Sequence, residues 1–239
     1  FRAPHHTISA NALAGGGRKV HPGEISLATG GVLFLDELPE FSRNVLEVLR
    51  QPMEEGIVTI SRTEGKYCFP ARFQLVAAMN PCKCGYYPDR SRCHCLPGEV
   101  GKYLRKISRP LLDRIDICVE TPRVEYRDIS AIAENESSAS IRERVEAARK
   151  IQERRYEHCP WQFNSHLKAA AIRQFCSLGT EEQGIMEQAF ERMNLSARAY
   201  HRIIKVARTI ADLEEEEWIR TPHLLEAIGY RSMDQKIWE

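Results

Sequence analysis

The chain has 239 residues, with 34 Lys and Arg against 33 Asp and Glu, a net charge of +1. That length suits one large domain or two small ones, and the balanced charge excludes a global electrostatic footprint for a nucleic-acid partner, leaving only a local patch. A hydrophobic share of 43% is that of an ordinary globular protein, no apolar run reaches the ~18 residues of a membrane span, and nothing resembles a signal peptide. The first residue is not Met, and we expect a fragment of a longer protein. Of the eight cysteines, Cys68, Cys118, Cys159 and Cys176 are scattered, as in a reducing compartment, so we expect a cytoplasmic protein with no membrane partner.

Residues 1–23 carry Pro4, His5, His6 and the run Gly15-Gly16-Gly17 with little periodicity, and read as an irregular insertion with one helical turn around Ser9–Ala14. The triple Gly is not a P-loop ending, because Arg18-Lys19-Val20 follows it instead of a Lys-Ser or Lys-Thr pair. His5 and His6 read as surface or nucleotide-proximal polar residues, or as metal ligands. A short helix over Gly23–Leu27 leads into Gly30-Gly31-Val32-Leu33-Phe34-Leu35-Asp36-Glu37, around which the chain is organised. Its four apolar residues predict a strand of a parallel sheet, buried on both faces. Asp36 and Glu37 then stand at its carboxyl end, where open α/β sheets bind ligands. Asp36 is placed to hold hydrated Mg²⁺ and Glu37 to polarise a water for attack on phosphate; the alternative is a solvated acidic turn.

Ser42 is a candidate cap for a helix running to about Met53, with Val45, Leu46, Val48 and Leu49 as its buried stripe. Ile57–Ile60 and Tyr67–Phe69, separated by Glu64-Gly65, predict a β-hairpin carrying Arg62 and Lys66. Phe73–Met79 predicts a second parallel strand, whose Asn80 orients the attacking water or ends the strand as an Asn-Pro turn. A helix over Gly101–Lys106 and a third strand over Ile115–Val119 complete an α/β layer. From Ser137 onward every periodic segment is helical, with helices near 138–157, 166–177, 181–193, 197–215 and 222–229. Ser140-x-x-Glu143, Thr180-x-x-Gln183 and Thr221-Pro222 have the spacing of helix starts. The boundary falls at Pro122, with an α/β domain over 1–122 and a helical domain over 123–239.

Six blocks carry a family resemblance: Phe1–His6, Pro22–Ala28, Gly31–Phe41, Ala78–Cys82, Pro110–Asp116 and Leu195–Arg198. In order and across most of the chain, they resemble an AAA+ ATPase of the magnesium-chelatase-like ComM/YifB family. The resemblance implies a partial P-loop NTPase core, a parallel sheet with helices and a β-hairpin insertion, followed by an all-helical lid domain. It implies ATP and Mg²⁺ as cofactors, Asp36-Glu37 as the Walker B pair, Asn80 as sensor 1, Arg114 as an arginine finger and Arg198 as sensor 2. For Arg114 the alternative is an ion pair with Asp113 or Asp116, and for Arg198 a surface position on a helix. The resemblance further implies a hexameric ring that couples ATP hydrolysis to DNA remodelling as a branch-migration motor, with Arg62 and Lys66 at the pore. The Gly-x-x-x-x-Gly-Lys-Ser/Thr loop and the first strand of that family are not in this sequence, so this chain alone is expected to hydrolyse no ATP. The gap left in the sheet would expose apolar edges. A porphyrin-metallating ATPase subunit and a non-enzymatic, zinc-stapled interaction module are the alternative functions.

Cys82-x-Cys84 and Cys93-x-Cys95 place four thiols within fourteen residues. Four thiolates suit a closed, structural Zn²⁺ site, although Cys-x-Cys is tighter than the usual zinc spacing. His94 can substitute for one of them. Reduced pairs or disulfides are the alternative.

Overall fold

The computed structural model describes residues 1–121 and 136–231 and divides into two compact units, one over Phe1–Ile115 and one beginning at Asp116. In the first unit Ser9 caps α1 (Ala10–Ala14), its Oγ accepting from the Ala12 amide at 3.1 Å. The glycine run follows as one arm of a small antiparallel pair, β1 (Gly15–Gly16) with β2 (His21–Pro22). Gly15, Gly16 and Gly17 have φ of 104°, 144° and 98°, a region that Gly enters without steric cost. The run therefore serves the backbone of a tight turn. Gly23 packs behind it, and a Cβ there would lie 2.3 Å from Gly15 N and 2.4 Å from Leu13 O, both backbone atoms that cannot yield cheaply. We expect Gly23→Ala to cost about 1–3 kcal/mol of stability, seen as a lowered denaturant midpoint. A midpoint equal to that of the parent protein would refute this close approach.

Then come α2 (Glu24–Leu27) and β3 (Val32–Leu35). Leu33 and Leu35 are fully buried while Val32 and Phe34 are half-buried, so this strand is covered completely on one face only, not on both as its composition predicts. The predicted single helix after it is two, α3 (Arg43–Val48) and α4 (Arg50–Glu55), with Leu49 between them. Pro52 accounts for the break. It has no amide to donate to the Val48 carbonyl four residues back, and its ring crowds that carbonyl. Ser42 occupies the N-cap position of α3 without a side-chain cap bond.

The hairpin is β4 (Ile57–Arg62) against β5 (Gly65–Pro70), paired from Ile57↔Pro70 to Arg62↔Gly65. β6 (Gln74–Ala77) then pairs in parallel with β3, Val32↔Gln74 through Leu35↔Ala77. α5 (Pro97–Leu104) and α6 (Arg109–Leu112) complete the unit, whose core includes Leu13, Ile25, Leu33, Leu35, Leu46, Leu49 and Ile107. No strand forms over Ile115–Val119. Ile117 and Val119 are exposed, and the Cys118 amide donates to the Tyr230 carbonyl at 3.0 Å instead of to a ladder. A strand needs a neighbouring strand, and among the described residues no strand pairs with this run.

The second unit is helical: α7 (Ser138–Arg155), α8 (Ala169–Phe175), α9 (Thr180–Arg192), α10 (Ala197–Leu213) and α11 (Thr221–Gly229). The helices stand where the apolar spacing places them, but their caps lie one to three residues earlier. Ser137 caps α7 through the Ser140 amide, Gly179 precedes α9, and Arg220 precedes α11. Ile172, Met186, Ile203, Ala207 and Leu224 centre the apolar core. Beside it the buried Asp212 accepts from Arg155 at 2.5 and 2.9 Å, from Arg208 at 3.1 Å and from Asn164 at 2.8 Å. These donors meet both carboxylate oxygens, the condition under which a buried charge is tolerated.

Candidate functional site

The register of the parallel pair builds the first half of the site. The Ala78 amide donates to the Leu35 carbonyl and the Ala78 carbonyl accepts from Leu38, both at 3.0 Å. Ala78 thus brackets Asp36 and Glu37, and Asn80 follows two residues later at the same sheet end. Asp36 Oδ1 accepts from the Glu37 amide at 2.9 Å. Glu37 has φ 53° and ψ 46°, the left-handed region that a residue with a Cβ seldom occupies. Its carboxylate Oε2 lies 3.1 Å from Nδ1 of His6. Both acid side chains and Asn80 are exposed, as groups that meet a ligand must be.

Tyr103 is buried on α5. Burial pushes its phenol up from the ordinary range, and the charges of Glu40, Glu37 and Cys82 push the same way.

The four cysteines converge. Cys82 Sγ is 3.3 Å from Cys84 Sγ and 3.8 Å from Cys93 Sγ, Cys84 and Cys93 are 3.6 Å apart, and with Cys95 all four sulfurs lie within 4.8 Å of one another. None is in a disulfide. Four sulfurs around a Zn²⁺ at about 2.3 Å form a tetrahedron with edges of about 3.8 Å, so this donor set fits the ion. Burial raises the Cys82 thiol, but the Tyr87 amide at 3.4 Å and the neighbouring thiols outweigh it and hold it down to about 6. His94 is exposed and stands outside the group. The loop also reaches Asn80: a Cβ on Gly85, which has φ 79°, would come 3.9 Å from Asn80 Cγ.

The two arginines are placed differently. Arg114 is buried, with Nε donating to the Arg50 carbonyl at 3.1 Å, Nη1 to the Pro110 carbonyl at 2.6 Å and Nη2 to Glu54. Its ion-pair partner is therefore Glu54, sixty residues upstream; Asp116 pairs instead with Arg202. Arg198 is exposed in the first turn of α10, after the N-cap Ser196. The structure brings Asp36, Glu37, Asn80 and the cysteine loop together within one unit, and Arg198 belongs to the other. His6 against Glu37 is a contact that sequence reasoning missed; no periodicity flags it.

Between the hairpin tip and the β1–β2 turn lies a cleft of about 420 Å³ whose lining includes Arg18, Lys19, Arg62, Glu64 and Tyr67. Among the described residues no helix is long and apolar enough to cross a membrane.

A carboxylate pair and an asparagine at the carboxyl ends of adjacent parallel strands, followed by a helical unit, define an α/β module of the AAA+ ATPase class. The chain belongs to the magnesium-chelatase ChlI family: residues 1–129 match the model of magnesium chelatase, subunit ChlI, and residues 135–231 match that of its C-terminal part. It is 49% identical over 234 residues to the competence protein ComM of Haemophilus influenzae, covering 98% of this chain and 45% of that protein. It is 46% identical to YifB of Escherichia coli K12, over 98% of this chain and 46% of that one. The magnesium-chelatase subunit ChlI of Euglena gracilis is 33% identical over 70 residues, 29% of this chain. The chain thus spans about half the length of ComM and YifB, and its likeness to those two is far broader than to the chelatase subunit.

Proposed function

We propose that this chain is the hydrolytic half of a ring-forming ATPase that remodels DNA, the motor class that the likeness to ComM suggests. The observation that carries it is the level placement of Asp36, Glu37 and Asn80 at one sheet end. Asp36 holds Mg²⁺, Glu37 accepts the proton of the attacking water, and Asn80 orients that water or the γ-phosphate. ATP bound with Mg²⁺ supplies the phosphoryl group; this chain's residues position and neutralise, which is what phosphoryl transfer asks of a protein. Arg114 and Arg198 are the cations we assign to the transition-state oxygens in an assembled ring. Arg114 must first leave Glu54, so its pairing restrains the unassembled subunit. Cys82, Cys84, Cys93 and Cys95 hold a structural Zn²⁺, because the sulfur spacing suits no other common ion better. The protein works in the cytoplasm as a homo-oligomer, which we take to be a hexamer.

The cleft at the hairpin tip supports DNA as the partner. Arg18, Lys19 and Arg62 meet phosphate charge, and Tyr67 offers a ring on which a base can stack. The test is ATP hydrolysis by the full-length protein with and without branched DNA. We expect stimulation by DNA, lost in Arg62→Glu, whose affinity for DNA falls about tenfold or more at low salt. Turnover indifferent to DNA, with no salt-dependent binding, would refute the motor reading and leave a plain ATPase. The 49% identity to ComM over 98% of the chain, against 33% over 29% of the chain for the ChlI of Euglena gracilis, supports the motor over a porphyrin-metallating subunit.

A further inference from the structure

Residues 1–6 are part of the sheet end, although they read as loop. The Arg2 amide donates to the Val32 carbonyl and the Phe34 amide to the Arg2 carbonyl, both at 2.8 Å, so Arg2 stands opposite Leu33 in a parallel bridge. The segment is pinned there. Arg2 makes a two-point ion pair with Glu24, 2.6 Å on each arm, and the Phe1 ring lies along Phe34 with centroids 6.2 Å apart. Four residues beyond Arg2 and Leu33 are His6 and Glu37, which meet at 3.1 Å.

The His6 ring is itself held. His5 lies against it at 4.1 Å, and its other flank meets the edge of Phe41 at 6.4 Å and 79°. His5 Nδ1 is taken up by Thr7, 3.0 Å from Oγ1, so the two histidines divide the work: one braces, the other contacts the acid. On the acid side, the left-handed backbone of Glu37 costs about 1–2 kcal/mol, and the Asp36 carboxylate secures it through the Glu37 amide. A strained residue with a defined partner at a sheet end marks a group whose direction matters.

We propose that His6 is the positioning residue for the Glu37 carboxylate, its Nδ1 held 3.1 Å from Oε2 so that the other oxygen faces the attacking water. This rests on the ATPase reading above. The side chains of His6 and Glu37 are 30% and 53% exposed, and a pair that wet adds little to folding stability. Its effect falls on direction. Misplacing a reacting group by about 1 Å costs about 10²-fold in rate.

The experiment uses the full-length protein and two substitutions. His6→Leu removes the ring nitrogen, and His6→Asn returns an amide N–H near the place of Nδ1. We expect His6→Leu to lower kcat about 10–100-fold with the KM for ATP within about threefold and the melting temperature unchanged, and His6→Asn to recover most of the loss. In single-turnover reactions on the Glu37→Gln background, His6→Leu should add nothing further, because its only route to the chemistry is that carboxylate. Full turnover in His6→Leu, or the same fold-loss with and without Glu37, would overturn the inference. Failure of the ATPase reading looks different: the unsubstituted protein would then hydrolyse no ATP, and both would fall.

Discussion

Glu37→Gln in the full-length protein is expected to abolish steady-state ATP hydrolysis while nucleotide binding persists. Gln keeps the length and shape of the side chain and can occupy the same left-handed backbone, but it cannot accept the proton of the attacking water. Removing a general base of this kind lowers rates by about 10²–10⁴-fold. Asp36→Asn should behave differently, because Asp36 is assigned to the metal. There the affinity for Mg²⁺·ATP falls first, and added Mg²⁺ should recover part of the activity. Phosphate release over a range of ATP and Mg²⁺ concentrations separates the two patterns. A Glu37→Gln variant turning over within about threefold of the parent protein would remove Glu37 from the chemistry, and with it the reason to read this sheet end as hydrolytic.

The parts of this site that the sequence disclosed are those carried by short local patterns. Val32–Leu35 and the apolar run before Asn80 announce strands, and their parallel pairing follows from both being apolar and ending in polar, ligand-type residues. The lid helices are legible because α10 places Ala199, Ile203, Ala207, Ile210 and Ala211 on one buried face at helical spacing. What failed needed information from elsewhere in the chain. Phe1–His6 has no alternation, and only the bridge from Arg2 to Leu33 ties it to β3. The apolar run Ile115–Val119 looks like any strand, yet a strand exists only where a neighbour offers its amides and carbonyls. Arg114 has two adjacent acids in sequence and chooses a third, Glu54, which only the fold brings near. The break at Leu49 is the exception, since Pro52 was in plain sight and its consequence at Val48 is local.

Metal removal is the second large effect we expect, and it should reach the chemistry. Between Cys82 and Cys95 the only fully buried residues are Cys82 and Cys93, both assigned as ligands. The loop therefore has no apolar core of its own, and the bonds to the ion must supply the free energy that orders it, a term of about 10 kcal/mol or more in isolated zinc modules. We expect about one Zn²⁺ per chain in protein purified without chelator, and loss of the ion on prolonged chelation or in Cys93→Ser. Two consequences should appear together. The loop should become a site of proteolysis, since its order came from the metal. ATP turnover should also fall, about tenfold or more, because Asn80 lies near Gly85 of that loop and begins the chain that enters it at Cys82. Nucleotide affinity should change less than kcat, since Asn80 is asked to orient rather than to bind. Less than about a tenth of an equivalent of zinc would refute the site. Full turnover in metal-free protein would instead keep the zinc and break its link to Asn80, confining the ion to the stability of the loop.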